Sequence, residues 1–154
     1  MKTLEEKIKE ITEADFDVHH IFKKIVNKQT GFTENEEIVN LVFVKRKHLD
    51  DRDKSSSIIS PAKLIVATTQ GIIFVEEGFE EISENYLGYK IKHIYYDKIS
   101  SFELDICLLE AKFMVVANSA KDPEIYINFN TALYYKKFEK FVDVARQCRI
   151  KCSD

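Results

Sequence analysis

Residues Leu64 to Val75 read LIVATTQGIIFV. Two runs of β-branched and aromatic residues flank Thr68-Thr69-Gln70-Gly71, and neither run contains a charge or a helix breaker. Short apolar runs on both sides of a Gly-containing reversal predict a β-hairpin. Gly71 is expected to supply the backbone freedom that a tight turn uses.

Downstream of the hairpin, Glu76 to Gly88 is a glutamate-rich connection, and Tyr89 to Tyr96 reads as another strand. From Ile99 to Leu109, Phe102, Leu104, Ile106 and Leu108 alternate with Glu103, Asp105 and Cys107. That period marks a half-buried antiparallel strand. Glu110 is expected to begin a turn, before strands at Phe113–Ala117 and, behind Asp122-Pro123, at Glu124–Phe129. Tyr134, Phe138, Phe141, Val142, Ala145 and Cys148 then form one apolar stripe at helical spacing, with Asn130 or Thr131 placed to cap it. Lys136, Lys137, Lys140 and Asp143 face elsewhere on that helix.

Upstream, Pro61 precedes the hairpin, Lys45 to Ser57 is a charged connection, and Glu37 to Val44 reads as the first strand. Before it, Leu4, Ile8, Ile11, Val18, Phe22 and Ile25 follow three- and four-residue steps, broken where Asp15 replaces an apolar residue. Two short helices, or one helix with a polar notch, fit this pattern, with Thr12 and Asp17 as caps and Gly31 as the stop. The segment can lie on the main domain as an amphipathic arm or pair with another chain as a dimerisation helix.

Seven strands and a final helix follow from this reading. Connections too short for a crossover helix make neighbouring strands antiparallel. Curling removes exposed sheet edges. The expected fold class is therefore mainly β (α+β): a seven-stranded antiparallel barrel, capped by the C-terminal helix, with an N-terminal helical extension. The expected organisation is a single domain over 1–154, with the helical arm at 1–30 and the barrel plus capping helix at 37–148.

The totals narrow the function classes. A chain of 154 residues buries roughly 68–70% of its unfolded surface, enough for one packed core. Eighteen Phe and Tyr side chains against 4 Gly and 2 Pro (11 Phe plus 7 Tyr) argue against disorder. A net charge of −3 is not the basic surplus of a general nucleic-acid binder. The charged start MKTLEEKIKEIT lacks the apolar core of a secretory signal, and three cysteines, Cys107, Cys148 and Cys152, suit a reducing compartment. The expected location is cytoplasmic.

The order of elements resembles a pleckstrin-homology-like domain, and local sequence is similar to small bacterial families of that fold. The resemblance rests on Leu64-Ile65-Val66-Ala67-Thr68, the short turn and Ile72-Ile73-Phe74-Val75. It rests also on Tyr96-Asp97-Lys98-Ile99-Ser100-Ser101-Phe102-Glu103. It covers roughly 37–148 and leaves the arm outside. One departure is the turn, where the families usually carry a basic residue after the Thr and this chain has Thr69-Gln70-Gly71. The resemblance implies a barrel that binds lipid headgroups, peptides or further copies of itself.

Phosphoinositide-binding members of the wider superfamily carry basic residues at the end of the first strand and the start of the second. Lys45, Arg46, Lys47, Arg52, Lys54 and Lys63 stand in comparable places and form the candidate ligand-binding set. Asp50, Asp51 and Asp53 in the same loop oppose an anionic surface, so a solvated mixed-charge loop is the competing interpretation. Tyr126 and Tyr95 are candidates for a partner surface, because tyrosine offers large contact area at low entropic cost.

No Gly-rich phosphate loop, nucleophile elbow or paired acids with a distinctive context occur, and the cysteines and histidines lack zinc spacing. Adjacent His19 and His20 are expected to diverge on a helix. Neither a catalytic residue nor a metal or other cofactor is expected. The leading interpretation is a non-catalytic module for protein–protein interaction or self-association. The alternative is a peripheral module binding anionic lipid through the basic loop at 45–54.

Overall fold

The computed structural model describes residues 2–14, 18–50, 52, 58–78 and 88–152. Helices α1 (Leu4–Thr12) and α2 (His20–Val26) come first. The strands β1 (Ile38–Val44), β2 (Lys47–His48), β3 (Ile58–Ser60), β4 (Lys63–Thr68), β5 (Gly71–Glu77) and β6 (Tyr89–Tyr95) follow. A 3-10 turn at Tyr96–Lys98 leads to β7 (Ile99–Ile106), β8 (Glu110–Ala117), β9 (Ile125–Asn130) and helix α3 (Thr131–Cys152).

The expected barrel is not what forms. The strands divide into a four-stranded sheet β1-β4-β5-β6, a three-stranded sheet β7-β8-β9 and the small pair β2-β3, with every pairing antiparallel. The 3-10 turn separates β6 from β7, so the hydrogen-bond ladder stops there and each large sheet keeps its own edges. Instead of stoppering a closed cylinder, α3 packs against β1, β4 and β5 of one sheet and β7, β8 and β9 of the other.

The opening hairpin is β4–β5, with Leu64 opposite Val75 and Ala67 opposite Ile72. Gly71 serves a different purpose from the one its turn position implies. Its φ is not left-handed, but a Cβ there would sit 2.3 Å from the Ile94 carbonyl oxygen on β6. Close strand approach, rather than turn freedom, requires glycine.

Alternation sorts the first sheet's side chains onto two faces. Val42, Ile65, Ala67, Ile72 and Phe74 point into a core shared with Phe113, Val115, Ile127, Phe129 and the α3 residues Phe138, Phe141 and Ala145. Leu41, Leu64, Val66, Ile73 and Val75 point the other way and meet Ile11, Ile21, Phe22, Ile25 and Val26 from the two N-terminal helices. The broken apolar seam thus forms two helices, laid on this chain's own sheet. Each buried Leu, Ile, Val or Phe contributes about 1.5–3 kcal/mol relative to exposure.

Helix ends follow local chemistry. Thr3 Oγ1 accepts from Glu6 N at 3.2 Å and caps α1. His19 caps α2, its Nδ1 accepting from Ile21 N at 3.0 Å. Because the capping residue is not helical, its ring folds over His20, with centroids 4.4 Å apart, and the expected divergence does not occur. Helix α2 ends with Asn27 as its cap, before Gly31, whose φ of 83° lies in the following bend. Asn130 Oδ1 accepts from Leu133 N at 3.1 Å at the start of α3.

Two strand boundaries also differ from the alternating pattern. β7 stops at Ile106, so Leu108 is 90% exposed instead of extending the buried face. β8 begins at Glu110, where a turn is expected from sequence.

Candidate functional site

The turn after β4 is a buried polar junction. Thr68 Oγ1 donates to Glu36 Oε2 at 2.6 Å and accepts from Gln70 N and Gly71 N. Tyr96 donates its hydroxyl to Thr68 O at 2.6 Å, and burial followed by the nearby Cys148 pushes the phenol's pKa upward. A cleft of about 230 Å³ beside this junction is lined by Phe32, Glu36, His93 and Tyr95. Glu36 also accepts from Thr33 N and Oγ1, so the carboxylate ties the α2–β1 connection to the hairpin.

The basic residues suggested by the sequence have separate surroundings. Arg46 makes a bidentate pair with Glu77, Nε to Oε1 and Nη2 to Oε2 at 2.8 Å each. The Glu77 side chain is fully buried, and Oε1 also accepts from Ala62 N. Lys63 is buried, with Nζ donating to Ser60 Oγ and Pro61 O. Burial lowers its pKa against the opposing pull of Glu76 and Glu77. Arg46 and Lys63 are thereby held by the sheet itself. Lys47 and Arg52 are exposed, Arg52 in a turn where its backbone N donates to Asp50 Oδ1. Lys54 lies outside the described residues.

Lys45 belongs to a different constellation. Its backbone N donates to Tyr134 Oη at 3.1 Å, and Lys137 Nζ lies 5.3 Å from the centre of the same Tyr134 ring. Lys7 reaches the β1 edge from α1, donating to Asn40 Oδ1 at 2.8 Å. Burial and then the neighbouring charges of Lys137 and Lys140 lower the Lys7 pKa. Burial and then Lys2 and Lys45 lower that of Lys137. Among the described residues, Lys45, Lys136, Lys137 and Lys140 make no ion pair. Neighbouring cations with no carboxylate partner among the described residues favour an incoming anion.

Exposed leucines stand at the start of the same helix. Thr131, at the start of α3, donates from N to Leu109 O and from Oγ1 to Cys107 O, fastening the β7–β8 tip to the helix. Leu108, Leu109 and Leu133 are 90%, 81% and 67% exposed around that junction. Leu133 and Lys137 stand four residues apart on α3, so an exposed apolar side chain and a lysine share one face of its first turns. Sequence reading placed Leu108 on a buried face and the α3 lysines on an undirected polar face. Only the docking of α3 beside Lys45 joins them.

Tyr95 and Tyr126 lie on different sheets, each partly exposed. Tyr95 borders the cleft, while Tyr126 donates to Asn128 Oδ1 at 3.3 Å on the outer face of β9. No group of three His, Cys, Asp or Glu side chains among the described residues can hold a metal ion.

A four-stranded and a three-stranded antiparallel sheet, both packed against a long C-terminal helix, form the frame that carries these side chains. The family model described as a bacterial PH domain matches residues 13–146, and the chain belongs to that family. The match takes in α2, beyond the 37–148 span of the sequence resemblance. Among solved structures, similarity extends to a crystal structure from Shewanella loihica PV-4. It is of a DUF1696 family protein with a pleckstrin-homology domain, 12% identical, covering 86% of this chain and 99% of that one, with a TM-score of 0.48. No curated protein matches the sequence.

Proposed function

We propose that this domain is a non-catalytic recognition module that docks on an anionic membrane surface through the end carrying Lys45, Lys137 and Lys140. The reading rests on lysines that make no ion pair among the described residues, grouped around Tyr134, on the helix whose start carries exposed Leu133 and holds the exposed Leu108–Leu109 tip. Cations draw the domain to acidic headgroups, each contributing about 1 kcal/mol near the surface. Apolar prongs then enter the headgroup–acyl boundary, where water is displaced from their surface. No helix among the described residues is long and apolar enough to cross a membrane. Membrane attachment of this kind is peripheral and reversible.

Of the basic residues picked from sequence, Lys45 occupies this end, while Arg46 and Lys63 contribute to sheet cohesion. A docking module needs a surface rather than an enclosed catalytic cavity, and the lysine–leucine end provides one.

Co-sedimentation with phosphatidylcholine vesicles containing phosphatidylserine, against phosphatidylcholine alone, tests the proposal. Binding is expected only to the acidic vesicles and declines with added salt. Neutralising Lys45, Lys137 and Lys140 together as glutamine lowers affinity roughly a hundredfold, from about 1 kcal/mol per cation. Changing Leu108 and Leu109 to serine weakens the binding that persists at high salt. Absence of binding to acidic vesicles at low salt overturns the proposal.

A further inference from the structure

Glu36 is a buried carboxylate, 5% exposed, that makes no ion pair among the described residues. Among those residues its oxygens accept from neutral groups alone: Thr33 N and Oγ1 at Oε1, and Thr68 Oγ1 at Oε2. The Thr68 contact, at 2.6 Å, has the length of a hydroxyl donating to an ionised carboxylate. Buried charges are ordinarily paired. Glu77, also buried, follows that rule by holding Arg46 in a bidentate pair. Lys28, the nearest lysine in sequence, does not serve Glu36, because its Nζ pairs with Glu37 at 2.9 Å.

This carboxylate lines the cleft beside the β4–β5 turn together with Phe32, Ile73 and Tyr95. The cleft's volume of about 230 Å³ lies below the roughly 300–1,000 Å³ of pockets for drug-sized molecules, so its occupant is small. Aromatic rings present a negative face, so Phe32, Tyr95 and Glu36 all favour positive charge. Phe32 already displays that preference, with Lys28 Nζ 5.8 Å from its ring centre. A bare metal ion would answer the carboxylate and leave the apolar wall uncovered. No group of three His, Cys, Asp or Glu side chains among the described residues stands ready to complete its ligands. An organic cation answers both, with charge for Glu36 and alkyl groups for the wall.

We propose that this cleft binds a small soluble quaternary ammonium ion, its charge toward Glu36 and its methyl groups against Phe32 and Tyr95. A primary ammonium is a poorer occupant. Its three N–H donors each need an acceptor, whereas Glu36 already receives bonds from Thr33 and Thr68 on both oxygens. A quaternary nitrogen carries no N–H, so its charge is met without further hydrogen bonds. The site shares no residue with the lysine–leucine end, and each can fail without the other.

Titration of the full chain with choline, followed by calorimetry and amide chemical shifts, tests the inference. The expected response saturates and is concentrated at Phe32, Thr33 and Tyr95. The neutral isostere of choline, with carbon in place of the ammonium nitrogen, binds about tenfold more weakly. Glu36→Gln costs choline about tenfold and leaves affinity for the neutral isostere unchanged, which a merely loosened hairpin would not show. Tyr95 is 54% exposed, so Tyr95→Leu keeps the fold; it weakens choline binding about threefold, the scale of one partly exposed cation–π contact. Lys28→Met raises choline affinity by removing a competing charge. Phosphatidylcholine vesicles carry the same headgroup on a lipid and are expected not to compete. Competition from those vesicles, equal binding of the neutral isostere, or no saturable response at Phe32 and Tyr95 overturns the inference.

Discussion

β4 and β9 are each six residues long, yet every β4 residue from Lys63 to Thr68 is buried while β9 alternates buried and exposed positions. The difference is what covers their sheets. Helices α1 and α2 pack over one face of the four-stranded sheet, and α3 with the second sheet covers the other. The three-stranded sheet buries only its inner face and leaves Tyr126, Lys112 and Glu103 outward. A continuous apolar run such as Leu64–Ala67 reports two covered faces, whereas strict alternation reports one. That distinction bears on stability, because the covered outer face of the first sheet is committed to packing while the second sheet's outer face meets solvent.

Phe22→Ala is the strongest way to strain this contrast. Phe22 is fully buried over the outer face of the first sheet, with its ring edge-on to Phe43 at 5.1 Å. Truncation is expected to lower the unfolding free energy by about 3–5 kcal/mol, measured by urea denaturation. A loss below about 1 kcal/mol would mean that α2 is not an integral cover of the sheet.

Tyr96→Phe has an intermediate expected effect at the junction between the sheets. It removes the hydroxyl donor to Thr68 O and costs about 1–3 kcal/mol by leaving that carbonyl unsatisfied. Its alkaline behaviour is equally diagnostic. Burial raises the native phenol's pKa, so the folded chain keeps a proton that the unfolded chain loses near pH 10. Stability therefore falls as pH rises above about 10. The Phe variant loses the Tyr96 part of that slope; Tyr134, also raised by burial, retains a part of the same sign. Urea melts at several alkaline pH values distinguish the loss of the donor from the loss of titration.

Tyr126→Ala gives the smallest change. Tyr126 is 42% exposed on the uncovered face of β9, and its replacement is expected to alter stability by no more than about 0.5 kcal/mol. A much larger loss in the isolated monomer would show that this face is less solvated than the strand pattern implies. Together, Phe22→Ala and Tyr126→Ala compare an aromatic beneath helices with one on an open face.

Much of this contrast is legible along the chain. LIVATTQGIIFV predicts the hairpin because both its strands are apolar on successive residues, and the Phe138–Phe141–Ala145 spacing predicts the packed side of α3. Pattern fails at Leu108 because apolarity specifies a preference for burial without supplying a partner. β7 ends before Leu108 reaches the core. It also leaves the fates of neighbouring cations open. Lys45 and Arg46 are adjacent, but one joins Lys137 around Tyr134 and the other is held by buried Glu77.

Local periodicity was sufficient for antiparallel strands, a terminal amphipathic helix and an N-terminal apolar seam, since each reflects side-chain direction over a few residues. Division into separate sheets, the placement of α1 and α2 on this chain's own sheet, and the meeting of Lys7, Lys45 and Lys137 required the folded chain. Those outcomes depend on contacts between residues distant in sequence, whose geometry no short-range period contains.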